Sequence, residues 1–472
     1  MNFTIDLTSL EQFINQSPWE VFWFIFSKGG WAVFLLFLLW ISFQFFVIYK
    51  QNKYAASLNY ILLAIDIPRE NVQSPKAVEQ IFTHLSGTQS TRNWVEKNLK
   101  GSFQESFSLE IISLEGYIQF LIRAPDYFRD VVEAAIYSQY PEAEIVEVTD
   151  YTLNVPKELP NEEYDLWGTE LKLVNEEFYP LRTYPAFEHP LSQEFKDPLG
   201  PLLEALSKLQ KGEQLWIQYL ITPITSDWTK GGGKKIKELL AMKEEAPKET
   251  LISSLAKLPA GVIGETAEIL TSGLGTTLEG AWKKETVEKG ISTLPFPPPK
   301  EKGAAEAIHS KISKIGFETK LRMIYLARRE IFSMGRGISG FFGGIKQFNS
   351  LDLNAFKPAS EATTSGSILW GFVNWKRKKL WRQRKILGAY RNRSTSIGVK
   401  PFVLNIEELA SLWHFPTETV KAPLIKKISA KRAEPPFALP IEKEEAEERI
   451  EIITEKQSIS SKGEPPENLP VV

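Results

Sequence analysis

The sequence predicts an α+β protein with one N-terminal transmembrane helix, followed by two ferredoxin-like α+β units, the second carrying a flexible insertion. Three observations carry this. Trp31 to Ile48 is an apolar run without a charge. Residues 106 to 151 then read strand, strand, helix, strand, which suits a small α+β sandwich. A similar order of elements returns after residue 156, alike in order and not in residue identity, so duplication stays open.

The apolar run is long enough for a bilayer: at about 1.5 Å per residue it spans roughly 27 Å, and only Ser42 and Gln44 interrupt it. Trp31, Phe34, Leu36, Phe37, Leu39, Trp40, Phe43, Phe46 and Ile48 are its expected lipid-facing bulk. Residues 1–30 form an interfacial segment, with Trp19, Trp23 and Trp31 near the headgroups. A cleaved signal peptide fits poorly. The stretch before the run carries Asp6, Glu11 and Glu20 against Lys28, and large residues, not small ones, close it. Lys50 and Lys53 follow the span, and the positive-inside rule then places the large C-terminal part in the cytoplasm of a plasma or inner membrane.

The first unit occupies 54–155. Tyr54 to Ile67 reads as extended, and Pro75 to Leu85 as a helix with Ser74 as N-cap and Val78, Ile81, Phe82 and Leu85 on one face. Ser106–Ser113 and Tyr117–Ala124 flank Glu115-Gly116 as a hairpin, Asp126–Tyr140 is helical, and Ala143–Tyr151 is a strand. The second unit takes 156–233 and 303–358. Its strands are Leu166–Val174, Tyr179–Tyr184, Gln214–Ile224 and Phe317–Ala327; its helices are Pro201–Leu209 and a glycine-interrupted stretch from Arg329 to Asn349.

Between those parts, 234–302 reads as an insertion, either a mobile linker or a membrane-surface helix. Residues 359–368 read as a linker, 369–440 as a basic helix with a C-terminal extended segment, and 441–472 as a disordered acidic tail.

Composition narrows the chemistry. With no cysteine, the chain forms no disulfide and offers no thiolate ligand or nucleophile. His84, His189, His309 and His414 are scattered singly, without zinc-helix spacing. A phosphate loop of the form GxxxxGK[ST] is missing; Lys230-Gly231-Gly232-Gly233-Lys234-Lys235 lacks both spacing and hydroxyl and reads as a flexible turn. Glu170 and nearby acids show no assignable acid–base pair, and there is no GxSxG elbow. The expectation is a non-enzyme without cofactor or metal.

One charged cluster stands out, Trp375 to Arg393. It contains Lys376, Arg377, Lys378, Lys379, Arg382, Arg384, Lys385, Arg391 and Arg393 without an acid, interleaved with Trp381 and Tyr390. Cations with aromatics suit nucleic-acid phosphates and base stacking, or an anionic membrane surface. The plainer alternative is a solvated helix face whose Leu380, Trp381, Ile386 and Leu387 pack on the domain. A net charge of -2 favours neither contact globally.

Several strings resemble a known family. Ile67-Pro68-Arg69-Glu70-Asn71 with Ser74-Pro75, the block Ser108–Tyr151 with Ile122-Arg123-Ala124-Pro125 and Tyr140-Pro141-Glu142-Ala143-Glu144, and Pro401–Pro416 are similar to the membrane-anchored N-terminal region ahead of conjugative DNA-transfer ATPases of the type IV secretion class. Lys421–Pro440 resembles the segment leading into the ATPase there. In that family a motor domain follows the Pro435-Pro436 region; here about thirty residues follow, fewer than a domain needs. The resemblance therefore implies a membrane-anchored scaffold that docks a separately encoded ATPase, with self-assembly and nucleic-acid contact as further expectations.

Overall fold

A computed structural model describes residues 17–68, 71–188, 196–240, 299–364 and 375–417. Helix α1 (Pro18–Ile25) opens with a reciprocal cap between Ser17 and Glu20, satisfying backbone amides that the first turn leaves open. A kink at Phe26–Gly30, where Gly29 takes φ 106°, leads into α2 (Trp31–Ser57), which is long and apolar enough to cross a membrane. The helix continues nine residues beyond Ile48, so the extended reading of Tyr54–Ile67 holds only from Tyr60. One local and one long-range hydrogen bond lie on the extra turns: Ser57 Oγ donates to the Tyr54 carbonyl, and the Tyr54 hydroxyl donates to Glu105 Oε1 at 2.5 Å.

Beyond α2 the described strands form one nine-stranded antiparallel sheet. Its members are β1 (Tyr60–Asp66), β2 (Phe107–Leu114), β3 (Tyr117–Pro125), β4 (Glu144–Glu147), β5 (Tyr164–Leu173), β6 (Glu213–Pro223), β7 (Gly316–Arg328), β8 (Phe356–Pro358) and β9 (Phe402–Asn405). Spatial order is β4-β1-β3-β2-β6-β7-β5-β8, with β9 on the end of β7. Two separate sandwiches were expected; instead β2 pairs with β6 from Phe107↔Ile221 to Leu114↔Gln214, making the sheet continuous. The β2–β3 turn is as expected, with Glu115 at φ 56° and Gly116 at φ 91°, the positive pair a tight hairpin turn requires.

Period-two alternation divides the sheet. Leu109, Ile111, Phe120, Ile122, Ile217, Tyr219, Leu321 and Met323 join the apolar core on one face. Against them pack α3 (Lys76–Ser86), α4 (Arg129–Gln139), α5 (Gly200–Ser207), α8 (Gly340–Ile345) and α10 (Ile406–Leu412). In α3 the predicted stripe Val78, Ile81, Phe82 and Leu85 is wholly buried, although Pro75, and not the Ser74 side chain, occupies the N-cap. Asn405 and Glu408 cap α10 reciprocally, and Glu408 also receives buried Lys311 at 2.9 Å.

Three segments depart from expectation. Tyr179–Tyr184 forms no strand; the Leu181 amide donates to Glu408 Oε1 and that of Arg182 to the Phe348 carbonyl, contacts that replace a ladder. The triple glycine lies inside helix α6 (Thr229–Leu239), which packs on α7 (Pro299–Ile312). A Cβ at Gly231 would sit 2.4 Å from the Phe178 ring, and one at Gly232 would sit 2.6 Å from Ile312, so close approach accounts for the first two glycines. The ends of the expected insertion are thus built into the fold, while 241–298 lies outside the described residues. The linker expected at 359–368 is packed as far as 364: Thr363 shares a hydrogen bond with Thr169, and the Thr364 amide donates to the Gly168 carbonyl. Residues 365–368 and the tail 441–472 lie outside the described residues.

Candidate docking surface on the basic helix

The cationic segment forms helix α9 (Trp375–Arg391), which lies across the sheet face opposite the apolar core. Gln383, Ile386, Leu387 and Tyr390 recur at helical spacing and are buried against the strands. Gln383 anchors the first turns, donating to Asp165 Oδ1 at 3.0 Å and the Leu166 carbonyl at 2.6 Å.

The opposite side of α9 is exposed. Lys376, Arg377, Lys378, Arg384 and Lys385 face solvent, and Trp381 is 58% exposed with the Lys385 ammonium 4.7 Å from its ring. Lys379 pairs with Asp165 at 3.6 Å, and Arg382 donates to the Thr363 carbonyl at 3.3 Å. Arg384 meets Glu158 at 3.5 Å, both largely exposed, an arrangement that contributes little to stability. Trp381 therefore presents its ring outward, whereas one sequence alternative had it packed inward.

Arg391 and Arg393 leave this set. Arg391 donates to the carbonyls of Pro156 and Lys157. Arg393, in left-handed backbone at φ 47°, turns under the helix and is 5% exposed. Its guanidinium binds Glu110 at 3.0 and 3.2 Å and pairs with Asp150. Burial alone would lower its pKa, but Glu110 and Asp150 outweigh that and raise it. Asp150 shows the converse: burial would raise its carboxyl, and Arg393 holds it below the ordinary range.

Beneath α9 runs a polar row that no single strand reveals. Glu110, Gln218, Arg322 and Glu170 stand in register on β2, β6, β7 and β5. Gln218 Nε2 donates to Glu110 at 3.1 Å and its Oε1 accepts from Arg322 at 3.4 Å; Arg322 Nε meets Glu170 at 2.6 Å. The Tyr151 hydroxyl donates to Glu110 at 2.8 Å and accepts from Tyr390 at 2.7 Å, and burial drives both phenols well above their usual pKa. Lys320 donates to the carbonyls of Thr395 and Ile397, and burial pulls its pKa down to about 8. Three carboxylates, Glu110, Asp150 and Glu170, thus face three cations, Arg322, Lys320 and Arg393. The row is satisfied from within the chain, and its effect is to clamp α9 and the segment after it onto the sheet.

The exposed end of α9 sits far from α2. Lys379 meets Asp165, whose strand position is level with the turn joining β2 to β3, whereas α2 meets the sheet beside Glu105, just before Phe107. The eight residues of β2 separate the two levels, roughly 26 Å along the strand.

Trp31, Phe34, Leu36, Phe37, Leu39, Trp40, Phe46 and Ile48 are exposed along α2, while Phe43 is half-buried against Trp94. His414 is buried, with Nε2 3.0 Å from Asp197, and His84 and His309 are exposed. His189 lies outside the described residues. No group of histidines and carboxylates suited to a metal occurs among the described residues.

A family model described as a domain of unknown function (DUF8128) matches residues 62–427, from the first strand to just beyond α10. No curated protein matches the chain. The match takes in the sheet from Leu62 of β1 onward, the helices on both its faces and the basic helix, and the chain belongs to the DUF8128 family.

Proposed function

We propose that the chain is a single-span, membrane-anchored scaffold whose folded part stands on the cytoplasmic side and docks a separately encoded ATPase of a secretion-like or conjugative-transfer apparatus. The observation that carries this reading is mechanical. Only Leu58 and Asn59 separate α2 from β1, and Tyr54 ties the helix to Glu105, so the position of the anchor passes directly to a rigid sheet. The buried charges hold that sheet to α9, which leaves the exposed helix side for partners. The class of partner comes from the sequence resemblance, and Lys50 and Lys53 after the apolar run support the cytoplasmic side. Extraction of the full chain from native membranes should bring an ATPase with it. Recovery of the chain alone under mild detergent would count against docking.

We also read the sheet as two ferredoxin-like units fused edge to edge. In support, β1–β4 run in the order β4-β1-β3-β2, and β5–β8 repeat it as β8-β5-β7-β6, joined through β2 and β6.

A second reading, a membrane-tethered nucleic-acid-binding subunit, is favoured by Trp381 and its exposed cations lying away from the anchor. It requires salt-sensitive binding of single- or double-stranded DNA, with a slope that shrinks when Arg377, Lys378 and Arg384 become Ala. Absence of binding at low salt would exclude it.

A further inference from the structure

The short stretch between α3 and β2 carries apolar side chains that the domain does not bury. Trp94 is 62% exposed, Val95 46% and Leu99 42%. They lie on and beside a π-helical turn, Glu96–Lys100, which packs against α2. Trp94 stacks on Phe43 with centroids 6.2 Å apart and planes 6° from parallel. Phe43 belongs to the apolar run and lies five residues inside its end at Ile48, roughly 7.5 Å along the helix axis. Trp94 therefore sits level with the apolar part of the helix, not with the polar turns that follow.

The turn is fixed in that place. Gly101, at φ 75°, lies so close to α2 that a Cβ would fall 2.3 Å from the Lys50 backbone. Arg92 holds the base of the turn, bonding Ser102, Gln104 and Glu105 at 2.6 to 3.0 Å, and Glu105 is the residue that Tyr54 of α2 reaches. Lys97 and Lys100 are exposed beside the apolar trio. An apolar tip with a Trp and flanking lysines is the pattern of a segment resting at the boundary of headgroups and acyl chains.

We propose that Trp94, Val95 and Leu99 form a second membrane contact, an apolar foot that enters the lipid interface beside α2 and fixes the orientation of the sheet on the bilayer. The occupant of this surface is lipid, because Trp94 continues the lipid-facing side of α2 at the level of Phe43, and the turn ends against Lys50 where the apolar run gives way to polar residues. The proposal rests on α2 being a retained span.

Since the chain has no native cysteine, single cysteines can be placed in it without background. Leu99→Cys, Leu39→Cys and Tyr117→Cys would each be spin-labelled in the full chain, in vesicles of phosphatidylcholine and phosphatidylglycerol. Collision rates with oxygen and with a water-soluble nickel chelate are then compared. Leu39 reports the span, and Tyr117, exposed on the hairpin far from α2, reports water. The expected result is an oxygen-to-nickel ratio at Leu99 several-fold above that at Tyr117 and below that at Leu39, which lies at the middle of the apolar run. A water-like ratio at Leu99 with a lipid-like ratio at Leu39 overturns the foot and leaves the span standing. A water-like ratio at Leu39 overturns the span and the foot together. Low accessibility to both reagents at Leu99, with spin–spin broadening, would mean that a second copy covers the surface and would also overturn the proposal.

Discussion

Arg322 and Glu170 stand opposite each other on β7 and β5, Nε to Oε1 at 2.6 Å, both shielded from water, at the centre of the polar row beneath α9. A buried pair of this kind is costly to break from one side, because the remaining charge loses its partner without regaining solvent. Arg322 holds more than Glu170: it also donates to the carbonyls of Ala389, Ser394 and Ile397, joining the end of α9 to the sheet. Arg322→Met should therefore destabilise the protein by about 3–5 kcal/mol. The double change Arg322→Met with Glu170→Leu should recover a large part of that loss. Denaturant unfolding of the three variants checks this; strictly additive losses would mean that the two residues do not act as a pair.

Cations of the same segment separate sharply by position. Arg377, Lys378 and Arg384 face solvent, so their replacement by Ala should change stability by no more than about 0.5 kcal/mol each. Arg393 lies between Glu110 and Asp150, and Arg393→Met should cost about 3–5 kcal/mol. A shift in melting temperature for the first three comparable to that for Arg393 would show that the helix face is packed and not exposed.

Lys320 gives a pH dependence with a definite sign. Its folded pKa, about 8, lies below the value of 10.5 for the free side chain, so between these values the unfolded chain binds more protons. Its contribution to stability therefore rises from pH 8 towards 10.5, and below pH 8 it opposes folding. Comparing wild type with Lys320→Met isolates this from the buried tyrosines, whose raised pKa values work in the opposite direction above pH 10. The difference in stability should move in favour of wild type as pH rises from 8 to 10. A difference independent of pH would contradict the placement of Lys320.

The three glycines of α6 should respond differently. A Cβ at Gly233 meets open space, so Gly233→Ala should stabilise by about 0.5–1 kcal/mol through helix propensity. Gly231→Ala would press on Phe178 and should destabilise, on the order of 1–3 kcal/mol. Thermal melts of the two single variants decide it, and equal shifts would mean that α6 does not pack as described.

Local patterns carried much of this fold in the sequence. The α3 stripe and the β2–β3 hairpin follow from side-chain period and from a turn whose glycine, Gly116, accepts positive φ. Other features depend on what lies across the sheet. Glu110, Gln218, Arg322 and Glu170 come from four strands far apart in the chain, and none is marked out from the other polar residues of its strand, so their alignment exists only once the register is set. For the same reason Arg393 reads as one more cation of a basic run, although its partners lie 283 and 243 residues away in the chain. The glycines of α6 look like a turn until Phe178 and Ile312 are seen against them. The exposed side of α9 was legible as a cation–aromatic pattern, but its distance from α2 was not.

Retention of α2 in the mature protein as a membrane anchor is decided by the intact mass of the protein recovered from carbonate-washed membranes. A mass that includes Trp31–Ser57, from protein that resists carbonate extraction, is the expected result. A mass lacking that helix, or protein released into the carbonate wash, would contradict it.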